Sequence, residues 1–541
     1  MLALWFPDLP ADRLRRRDRG AHGETPVHPS SGLSGAQDEA RADKTDARAA
    51  AHPLVFVAKA GGALRIAAAD RAARALGLLP GMALADARAR HPDIRTADHD
   101  PAADCACLDA VADWCDRYTP LVALDGADGL TLDITGCAHL FGGETALLQQ
   151  ALRALLRQGF AVRAAIAGNG PAAHALARFG GGDSGTSSAP IVPPGGEAEA
   201  VRPLPVAALR AEAETQAALH RMGLHAIGEL ADRPRAPLAA RFGADLVDRL
   251  DALLGRTRPP IAPRRPAPLM TAERRFAEPL TDIDALLATL AMLAGDLKDM
   301  LEGRGQGARA LEAAFFRADG QVRRCTVETA RALRDPDVMA RLFRERLEAL
   351  ADPLDPGFGF DTIRLAVLRA APFGTRQETL AGRTDTADDL AALVERLAAR
   401  VGRTHVLRFT RRDTHVPERE ALALSALDTG ALPAWPRRRE AGAPPLRPLC
   451  LFDPPQPVET LAAVPDGPPI RFRWRRVVHD VVRAEGPERI APEWWHAADG
   501  DLTRDYFRVE DARGRRFWLF RAGLYGHETM RPRWYLHGLF A

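Results

Sequence analysis

Residues 121–136 read LVALDGADGLTLDITG, two short β-strand patterns on either side of an acidic turn. A short apolar run precedes Asp125-Gly126, and apolar and polar side chains alternate after it, as in a β-hairpin. Asp125, Asp128 and Asp133 are therefore predicted to cluster at the hairpin tip or along one strand. Carboxylates on a rigid strand are typical of two-metal phosphoryl-transfer sites, because Mg²⁺ prefers oxygen ligands. The alternative is that these residues only form the turn.

Length and composition indicate a large protein without a membrane segment. A chain of 541 residues is expected to form about three to five domains. No apolar run approaches the length of a membrane span, and the N-terminal MLALWFPDLP lacks the basic segment of a signal peptide. The six cysteines are scattered, so we expect free thiols in a reducing cytoplasm. Because the net charge is only +2, any nucleic-acid binding must come from local basic patches.

Strand and helix patterns alternate along residues 1–180, which predicts an α/β domain. A strand over 1–7 leads into a helix that begins at residues 9–17. Residues 18–52 are rich in Gly, Ser, Ala, Asp and Pro without a hydrophobic period, and we predict a disordered insertion there. The other predicted strands are 53–59, 64–68 and 161–167, and the other predicted helices are 69–76, 81–90, 103–118, 143–158 and 171–179.

Three segments, in this order, resemble the palm and fingers of Y-family translesion DNA polymerases. They are RAARALGLLPGMALADARARHPDI from Arg71, ADGLTLDITG from Ala127 and AIAGNGPAAHALA from Ala165. The resemblance implies a multidomain α/β and α+β fold with a palm and fingers, a helical thumb, a little finger with an α/β sheet, and a small β-rich C-terminal module. The resemblance is strong up to about residue 180. It rests on the pattern of predicted helices and strands up to about residue 412, and it is weak beyond that residue.

The resemblance also identifies a loss of catalytic residues. Y-family polymerases hold two Mg²⁺ ions with one acid on the first strand and an Asp-Glu pair on the hairpin. The corresponding residues here are Trp5, Asp128 and Gly129, so one carboxylate of the three remains. One carboxylate cannot hold two ions about 3.5–4 Å apart. We therefore predict a non-catalytic protein without a metal or cofactor, in which Asp128 is vestigial.

Two further positions concern the nucleotide and the metal. The tyrosine that supports the incoming nucleotide in the Y family corresponds to Arg71, whereas the following arginine is kept as Arg74. These two residues are the candidate nucleotide-binding residues. Mg²⁺ would bind only if Asp8 and Asp125 replaced the lost acids, which would make the protein an active, error-prone polymerase with a rearranged carboxylate set.

A Y-family body without its catalytic acids resembles the ImuB-type proteins. That resemblance implies an adaptor in damage-induced mutagenesis that holds DNA, the sliding clamp and its partners together. The implied partners are an error-prone C-family DNA polymerase and the RecA-like ImuA. Two alternatives remain open, namely the active polymerase and a DNA-independent protein scaffold.

The middle of the chain reads as a linker, a thumb and a second linker. Residues 181–203 are rich in Gly, Ser and Pro and predict a flexible linker. Residues 204–256 resemble a helix-hairpin-helix thumb, in which turns at Gly223 and Gly228 would offer backbone N–H groups to a DNA phosphate; a plain helical hairpin is the alternative. In the Pro/Arg linker 257–268, Arg264 and Arg265 suit the minor-groove side of a duplex, although a solvated linker would have the same composition.

Residues 269–412 resemble the little finger in their pattern. A hairpin turn is predicted at Asp319-Gly320, and a strand at 406–410 is predicted to close the sheet. An open sheet face would lie against phosphates in the major groove, unless it is simply solvated. The arginines assigned to this face are Arg323 or Arg324, Arg364 and Arg369.

The C-terminal part contains a predicted tether, 413–455, and an aromatic-rich module, 456–541. Near the end of the tether, Leu449, Leu451 and Phe452 resemble the bacterial sliding-clamp peptide Q-L-x-L-F, although Pro448 replaces the glutamine. The alternative is a strand that opens the last domain. The aromatic and arginine residues of the module suit either single-stranded DNA or a protein partner, and we favour partner docking.

Overall fold

The computed structural model describes residues 1–21, 52–180, 189–374, 386–428, 430, 445, 447–448, 450–463, 467–495 and 502–540. The chain divides into two compact units, Met1–Glu378 and Thr379–Ala541. No helix among the described residues is both long and apolar enough to cross a bilayer. The predicted insertion 18–52 lies largely outside the described residues, but its first part, 18–21, is helical, so that boundary was wrong.

A four-stranded antiparallel sheet of order β5-β6-β1-β7 forms the palm. The predicted hairpin is confirmed as β5 and β6. The first strand is buried on both faces, because Leu2 and Leu4 join one apolar core and Ala3 joins another. The palm strands are β1 Leu2–Trp5, β5 Val122–Leu124, β6 Gly129–Leu132 and β7 Arg163–Ile166.

Helices cover both faces of this sheet. Trp114 and Leu147 pack with Leu2 and Leu4 on one face, while the alanine-rich helix that starts at Gly170 packs on the other. Its N-cap Asn169 accepts a hydrogen bond from the N–H of Ala172, which explains why the Asn stands there. The palm helices are α1 Leu9–Ala21, α4 Pro101–Cys115, α5 Glu144–Arg157 and α6 Gly170–Phe179.

The fingers form a three-stranded sheet of order β3-β2-β4 with two short helices. Sequence patterns did not predict β4, whose residues RTAD carry no apolar alternation and are largely exposed. It lies parallel to β2, and its hydrogen bonds to that strand define it. The elements are β2 Leu54–Ala60, β3 Ala63–Ala69, β4 Arg95–Asp98, α2 Arg71–Ala75 and α3 Leu84–Arg90.

The predicted linker 181–203 is wrong over its described part, 189–203. Ile191 forms a β-bridge with Ile166 of the palm, and Val201 is fully buried in the core that joins palm and thumb. The Gly and Pro content of this segment suggested a linker, but its few aliphatic residues are anchored. The helices from here through the thumb are α7 Glu197–Val201, α8 Ala213–Arg221, α9 Ile227–Ala231, α10 Arg235–Phe242 and α11 Ala244–Leu253.

The little finger is a four-stranded sheet of order β10-β9-β11-β8. The hairpin turn at Asp319-Gly320 is confirmed, since β9 and β10 flank it. Phe315 and Ile363 point into the helix-covered core, whereas their chain neighbours face the opposite side. The elements are β8 Met270–Leu280, α12 Ile283–Gly303, β9 Gln306–Arg317, β10 Val322–Leu333, α13 Pro336–Glu348 and β11 Phe360–Pro372.

The predicted closing strand at 406–410 does not belong to this sheet. Strand β12 Leu407–Arg411 pairs with β13 Ala421–Ser425 in a separate hairpin, and β8 is the edge strand next to β11. The little-finger sheet therefore ends with β11 rather than at residue 412. Helix α14 Thr386–Val401 and this hairpin belong to the second unit.

The C-terminal module is a closed six-stranded barrel, which confirms a small β-rich domain. Most of its aromatic residues form the core, including Phe472, Phe507, Phe517 and Trp518. The predicted tether is wrong where described, because it contains β13 and the start of β14; residues 431–444 lie outside the described residues. The strands are β14 Cys450–Ala462, β15 Pro469–Trp474, β16 Val477–Ile490, β17 Arg504–Asp511, β18 Arg516–Ala522 and β19 Arg533–Leu539.

Candidate functional site

The candidate site lies at the hairpin end of the palm sheet, where Trp5 on β1 stands directly opposite Gly129 on β6. These are the two positions at which the sequence lacks the expected acids. The indole Nε1 of Trp5 donates a hydrogen bond to Asp128 Oδ2 at 2.9 Å. The place of the first-strand acid is therefore taken by an aromatic donor that binds the one remaining hairpin acid.

Gly129 leaves no room for a side chain. A Cβ atom at this position would lie 2.8 Å from the carbonyl oxygen of Asp125 and 3.4 Å from that of Leu4. Both contacts are with backbone atoms, which cannot rotate away. The hairpin is therefore packed around the glycine, and an acid could return only if the backbone moved.

Arg178 supplies the second partner of Asp128. It lies in the last turn of α6 and forms an ion pair with Asp128 Oδ1. Its guanidinium also lies 5.3 Å from the centre of the Trp5 ring, and that of Arg163 lies 5.5 Å from it. A cation and an indole thus each contact one oxygen of the carboxylate that would be expected to bind a metal.

Asp125 is bound by two basic side chains. One carboxylate oxygen contacts His174 Nδ1 and accepts a hydrogen bond from the Thr131 hydroxyl at 3.2 Å, while the other pairs with Arg210. Burial raises the pKa of Asp125, but the hydrogen bonds and charges of His174 and Arg210 outweigh burial and hold that pKa well below its usual range. Asp125 is therefore an ionised partner of basic side chains from α6 and the thumb.

Asp8 is held by the fingers. It is buried just after β1 and pairs with Arg74 at 2.7 Å. Arg74 also donates to the carbonyl oxygen of Pro7 at 3.1 Å. Of the two candidate nucleotide-binding residues, Arg74 is thus engaged with the palm, whereas Arg71 is exposed at the start of α2.

The predicted cluster of three hairpin acids forms only in part. Asp125 and Asp128 lie at the tip, but Asp133 follows the far end of β6 and accepts a hydrogen bond from the N–H of Thr135. Throughout the described ranges, no three His, Cys, Asp or Glu side chains are placed to hold a metal ion. Asp8, Asp125 and Asp128 instead each pair with a basic side chain.

Sequence reasoning missed the basic residues that complete this site. His174 and Arg178 are four residues apart on one helix, so their shared face was the only local signal. Arg210 comes from the thumb, 85 residues from Asp125 in the chain. The spacing of residues within a sequence motif cannot predict a pair of residues this far apart in the chain.

The predicted phosphate site in the thumb is wrong. Gly223 ends helix α8 with a positive φ of 75°, and its N–H donates to the carbonyl oxygen of His220. Gly228 is buried inside α9, where its N–H donates to the carbonyl oxygen of Arg202 at 2.9 Å. Both N–H groups are therefore engaged within the thumb.

The little-finger arginines lie on two different faces. Arg324 and Arg364 share the sheet face without helices, because both pair in register with Ala314 of β9. Arg323 points to the other side and pairs with Asp352 at 2.9 Å. Arg369 is half-exposed and pairs with Glu328 at 2.8 Å.

Four of the arginines assigned to DNA instead meet helix α4 of the palm. Arg264 pairs with Asp109 at 2.7 Å, and Arg265 pairs with Asp113 at 3.2 Å. These two belong to the linker 257–268, so the prediction that this linker lies free along DNA is wrong for this structure. Arg324 and Arg364 join them at Asp116, the residue after α4, so the free open face is also wrong. We call this set of contacts the α4 contact.

The clamp-like peptide is part of the barrel. Leu451 pairs with Gly538 of β19 and packs in the barrel core, and the Phe452 ring centre lies 5.9 Å from that of Trp474. Leu449 lies outside the described residues. The prediction of an extended free peptide is therefore wrong at Leu451 and Phe452, and the alternative, a strand that opens the last domain, is confirmed.

Comparisons with known proteins agree with this domain order. The model of the impB/mucB/samB family matches residues 41–178, and that of the impB/mucB/samB family C-terminal domain matches residues 269–373. The second match ends where the little-finger sheet ends, at β11.

Two relatives and one solved structure illustrate the similarity. Protein ImuB from Caulobacter vibrioides (strain NA1000 / CB15N) is 43% identical over 474 residues, which cover 86% of this chain and 100% of that protein. DNA polymerase IV from Halorhodospira halophila is 29% identical over 244 residues, covering 44% and 66% respectively. The crystal structure of DinB from Sulfolobus solfataricus aligns with a TM-score of 0.37 at 14% identity, covering 69% and 99% respectively. With its two impB/mucB/samB domains, the chain belongs to the ImuB family.

Proposed function

We propose that this protein is a non-catalytic, Y-family-like adaptor in damage-induced mutagenesis and translesion DNA synthesis. The observation that carries the proposal is the state of the palm acids. Asp8, Asp125 and Asp128 each pair with an arginine, and Gly129 has no space for a further acid.

The chemistry of phosphoryl transfer supports the absence of catalysis. Two metal ions must bridge the attacking and leaving oxygens, and carboxylates supply the charge that holds them. Here Arg74, Arg178 and Arg210 neutralise those carboxylates from fixed positions in the chain. A metal ion could therefore bind these carboxylates only by displacing the arginine with which each of them pairs.

DNA is the first proposed ligand, bound without sequence preference. Both impB/mucB/samB domains are present, and relatives of the chain include DNA polymerases IV. Binding through arginines and phosphates predicts that affinity falls steeply as salt rises, because each neutralised phosphate releases counterions. A DNA-independent scaffold would bind duplex weakly at every salt concentration.

A titration separates these two possibilities. Labelled primer–template duplex is titrated with the full chain at about 50 and 200 mM salt, and we expect at least about a hundredfold loss of affinity between the two. Two duplexes of unrelated sequence should give the same curves. Failure to bind at 50 mM salt would contradict the DNA part of the proposal.

Partner proteins are proposed to include the sliding clamp, an error-prone C-family DNA polymerase and the RecA-like ImuA. The barrel supports a docking role, because Trp494 lies on its surface with 82% of its area exposed. Tryptophan is favoured at the centres of protein interfaces, since it buries a large area on binding. We do not assign the clamp contact to Leu451 and Phe452, because both belong to strand β14 of the barrel.

Pull-downs test the partner proposal. Full-length wild type, Trp494→Ala and the control Tyr525→Ala, which removes another exposed aromatic side chain, are each mixed with the sliding clamp, the C-family polymerase and ImuA. We expect wild type to retain these proteins and Trp494→Ala to lose at least one of them, while the control behaves as wild type. If wild type and both variants retained equal amounts of each partner protein, Trp494 would be excluded as a docking residue.

A further inference from the structure

The α4 contact places three aspartates against four arginines. Asp109, Asp113 and Asp116 are separated by four and three residues, so they line one face of helix α4 and its C-terminal end. The C-terminal end of a helix is also its negative end, because its last carbonyl groups lack partners within the helix. This side of α4 therefore presents an anionic strip.

The linker arginines bind the first part of the strip. Arg264 reaches both Asp109 at 2.7 Å and Asp113 at 3.0 Å, and its backbone N–H donates to the carbonyl oxygen of Val122 on the palm edge. Arg265 shares Asp113 at 3.2 Å and lies 4.0 Å from Glu312 on the sheet. The linker is thus fastened between the palm and the little finger.

The sheet arginines bind the helix end. Arg324 bridges Asp116 at 2.5 Å and Glu312 at 2.6 Å. Arg364 donates to the carbonyl oxygen of Asp116 at 2.8 Å and pairs with Glu273. Both arginines are largely buried by these contacts, which makes them inaccessible to any other anion.

The chemistry of the strip resembles that of a nucleic-acid backbone. A phosphodiester chain also presents a row of anionic oxygens, and arginine binds such oxygens in the same forked geometry as carboxylates. Helix α4 is held in the palm core by Trp114, so opening of the contact means that the linker and the little finger move away from Asp109, Asp113 and Asp116. The four arginines then face three acids, Glu273, Glu312 and Asp361, of which Asp361 loses its palm partner Arg117, and the surface is still net positive.

We infer that helix α4 occupies an autoinhibited nucleic-acid surface, in which Asp109, Asp113 and Asp116 stand in for backbone phosphates. A DNA backbone and α4 compete for Arg264, Arg265, Arg324 and Arg364. This inference rests on the proposed DNA binding, and it adds that the closed form must open before these arginines contribute.

If the α4 contact were purely structural, weakening it would have the opposite effect on DNA affinity from the one that competition predicts. If α4 only fixed the little finger in a DNA-binding position, weakening it would lower or leave unchanged the affinity for DNA. Competition predicts that weakening it raises the affinity, because the open form becomes more populated. The direction of the change therefore decides between the two.

The first experiment neutralises the exposed part of the strip. Full-length Asp109→Asn/Asp113→Asn is titrated against labelled duplex beside wild type, and we expect about tenfold tighter binding. The matched control is Asp296→Asn/Asp299→Asn, which removes the same charge from exposed positions on α12. We expect the control to bind with wild-type affinity, and adding Arg264→Ala/Arg265→Ala to the first variant should abolish most of the gain.

The second experiment uses unmodified protein. Carboxyl groups are labelled with a carbodiimide and an amine, and the modification of Asp109, Asp113 and Asp116 is measured by mass spectrometry with and without duplex. We expect duplex to increase labelling of these three residues several-fold, because the arginines that cover them move away from α4. Labelling of Asp296 and Asp299 should not change.

The outcomes separate the inference from the proposed function. Tighter binding by the Asp109/Asp113 variant together with increased labelling supports both. If wild type binds duplex but the variant binds equally or more weakly, or labelling does not rise, competition is overturned and the adaptor proposal stands. If neither protein binds duplex, the DNA part of the adaptor proposal fails, and the inference fails with it.

Discussion

Trp5 and Gly129 face each other across β1 and β6, and each contributes to closing the palm site. The indole binds Asp128, and the glycine lets the carbonyl oxygen of Asp125 approach within 2.8 Å of where a Cβ atom would be. Arg178 completes the shell around Asp128. The site is therefore a packed and charge-balanced junction rather than an open cleft with missing ligands.

Restoring one acid at Gly129 should not restore catalysis. Gly129→Glu would force the Cβ atom against the Asp125 backbone, so we expect a loss of about 1–3 kcal/mol in the free energy of unfolding. Urea denaturation measures the loss, and Gly129→Ala is the matched control with the same Cβ and no charge. A Glu variant with wild-type stability, or one that extends a primer, would show that the hairpin has space for the acid.

Asp12 should make stability depend on pH. Burial, together with the neighbouring charge of Asp8, raises the pKa of Asp12 to about 7, although the Ala161 N–H and Arg15 favour its ionised form. The folded protein then takes up a proton near pH 7 that the unfolded chain takes up only near pH 4. The free energy of unfolding should therefore increase as the pH falls from 8 to 5, by at most a few kcal/mol.

The comparison with Asp12→Asn isolates this effect. The amide cannot titrate but can still accept the hydrogen bond from Ala161 that Asp12 accepts at 2.7 Å. Thermal melts between pH 5 and 8 should show a smaller rise in Tm toward acid pH for the variant than for wild type. Parallel curves for the two proteins would mean that Asp12 is ionised throughout this range.

At the scale of elements, the contacts that a strand or helix makes are only partly predictable from its own sequence. Strand β14 contains a clamp-like peptide but closes a barrel with β19, and helix α4 contains an acidic strip that holds the little-finger sheet. Each element is fixed by partners far away in the chain. The sequence of either element, taken by itself, would therefore predict the wrong binding partner for it.

Truncating Phe452 should loosen the barrel. Its ring packs with Trp474 in the barrel core, so Phe452→Ala is expected to cost about 2–3 kcal/mol, less than a fully buried phenylalanine. Hydrogen exchange of full-length protein should show faster exchange in β14, β15 and β19. The control Val482→Ala removes an exposed aliphatic side chain from the same barrel and should leave exchange unchanged. Unchanged protection in Phe452→Ala would instead indicate that this strand is not essential to the barrel.

At the scale of the whole molecule, sequence predicts the domain order better than the contacts between domains. The apolar and polar pattern predicted the hairpin, because such patterns report local structure, and the resemblance of three segments to Y-family polymerases predicted the palm. Strand β4 has no such pattern, and its pairing with β2 defines it. The pairs Arg210–Asp125 and Arg264–Asp113 span 85 and 151 residues, so no local spacing could reveal them.

These long-range pairs carry the functional argument. Arginines predicted to face DNA are held by acids of the same chain, and acids expected to hold metal are held by arginines. The type of residue was predictable at many positions, whereas its partner was not. Charge pairing inside the fold therefore decides which sequence-predicted sites are available.

The most direct measurement is primer extension by the purified full-length protein with Mg²⁺ or Mn²⁺, at protein concentrations that saturate the primer–template, beside a DNA polymerase IV as a positive control. Because Asp8, Asp125 and Asp128 are each paired with an arginine, we predict that no nucleotide is added while the duplex remains bound. Nucleotide addition that Asp128→Ala abolishes would contradict the absence of a working metal site.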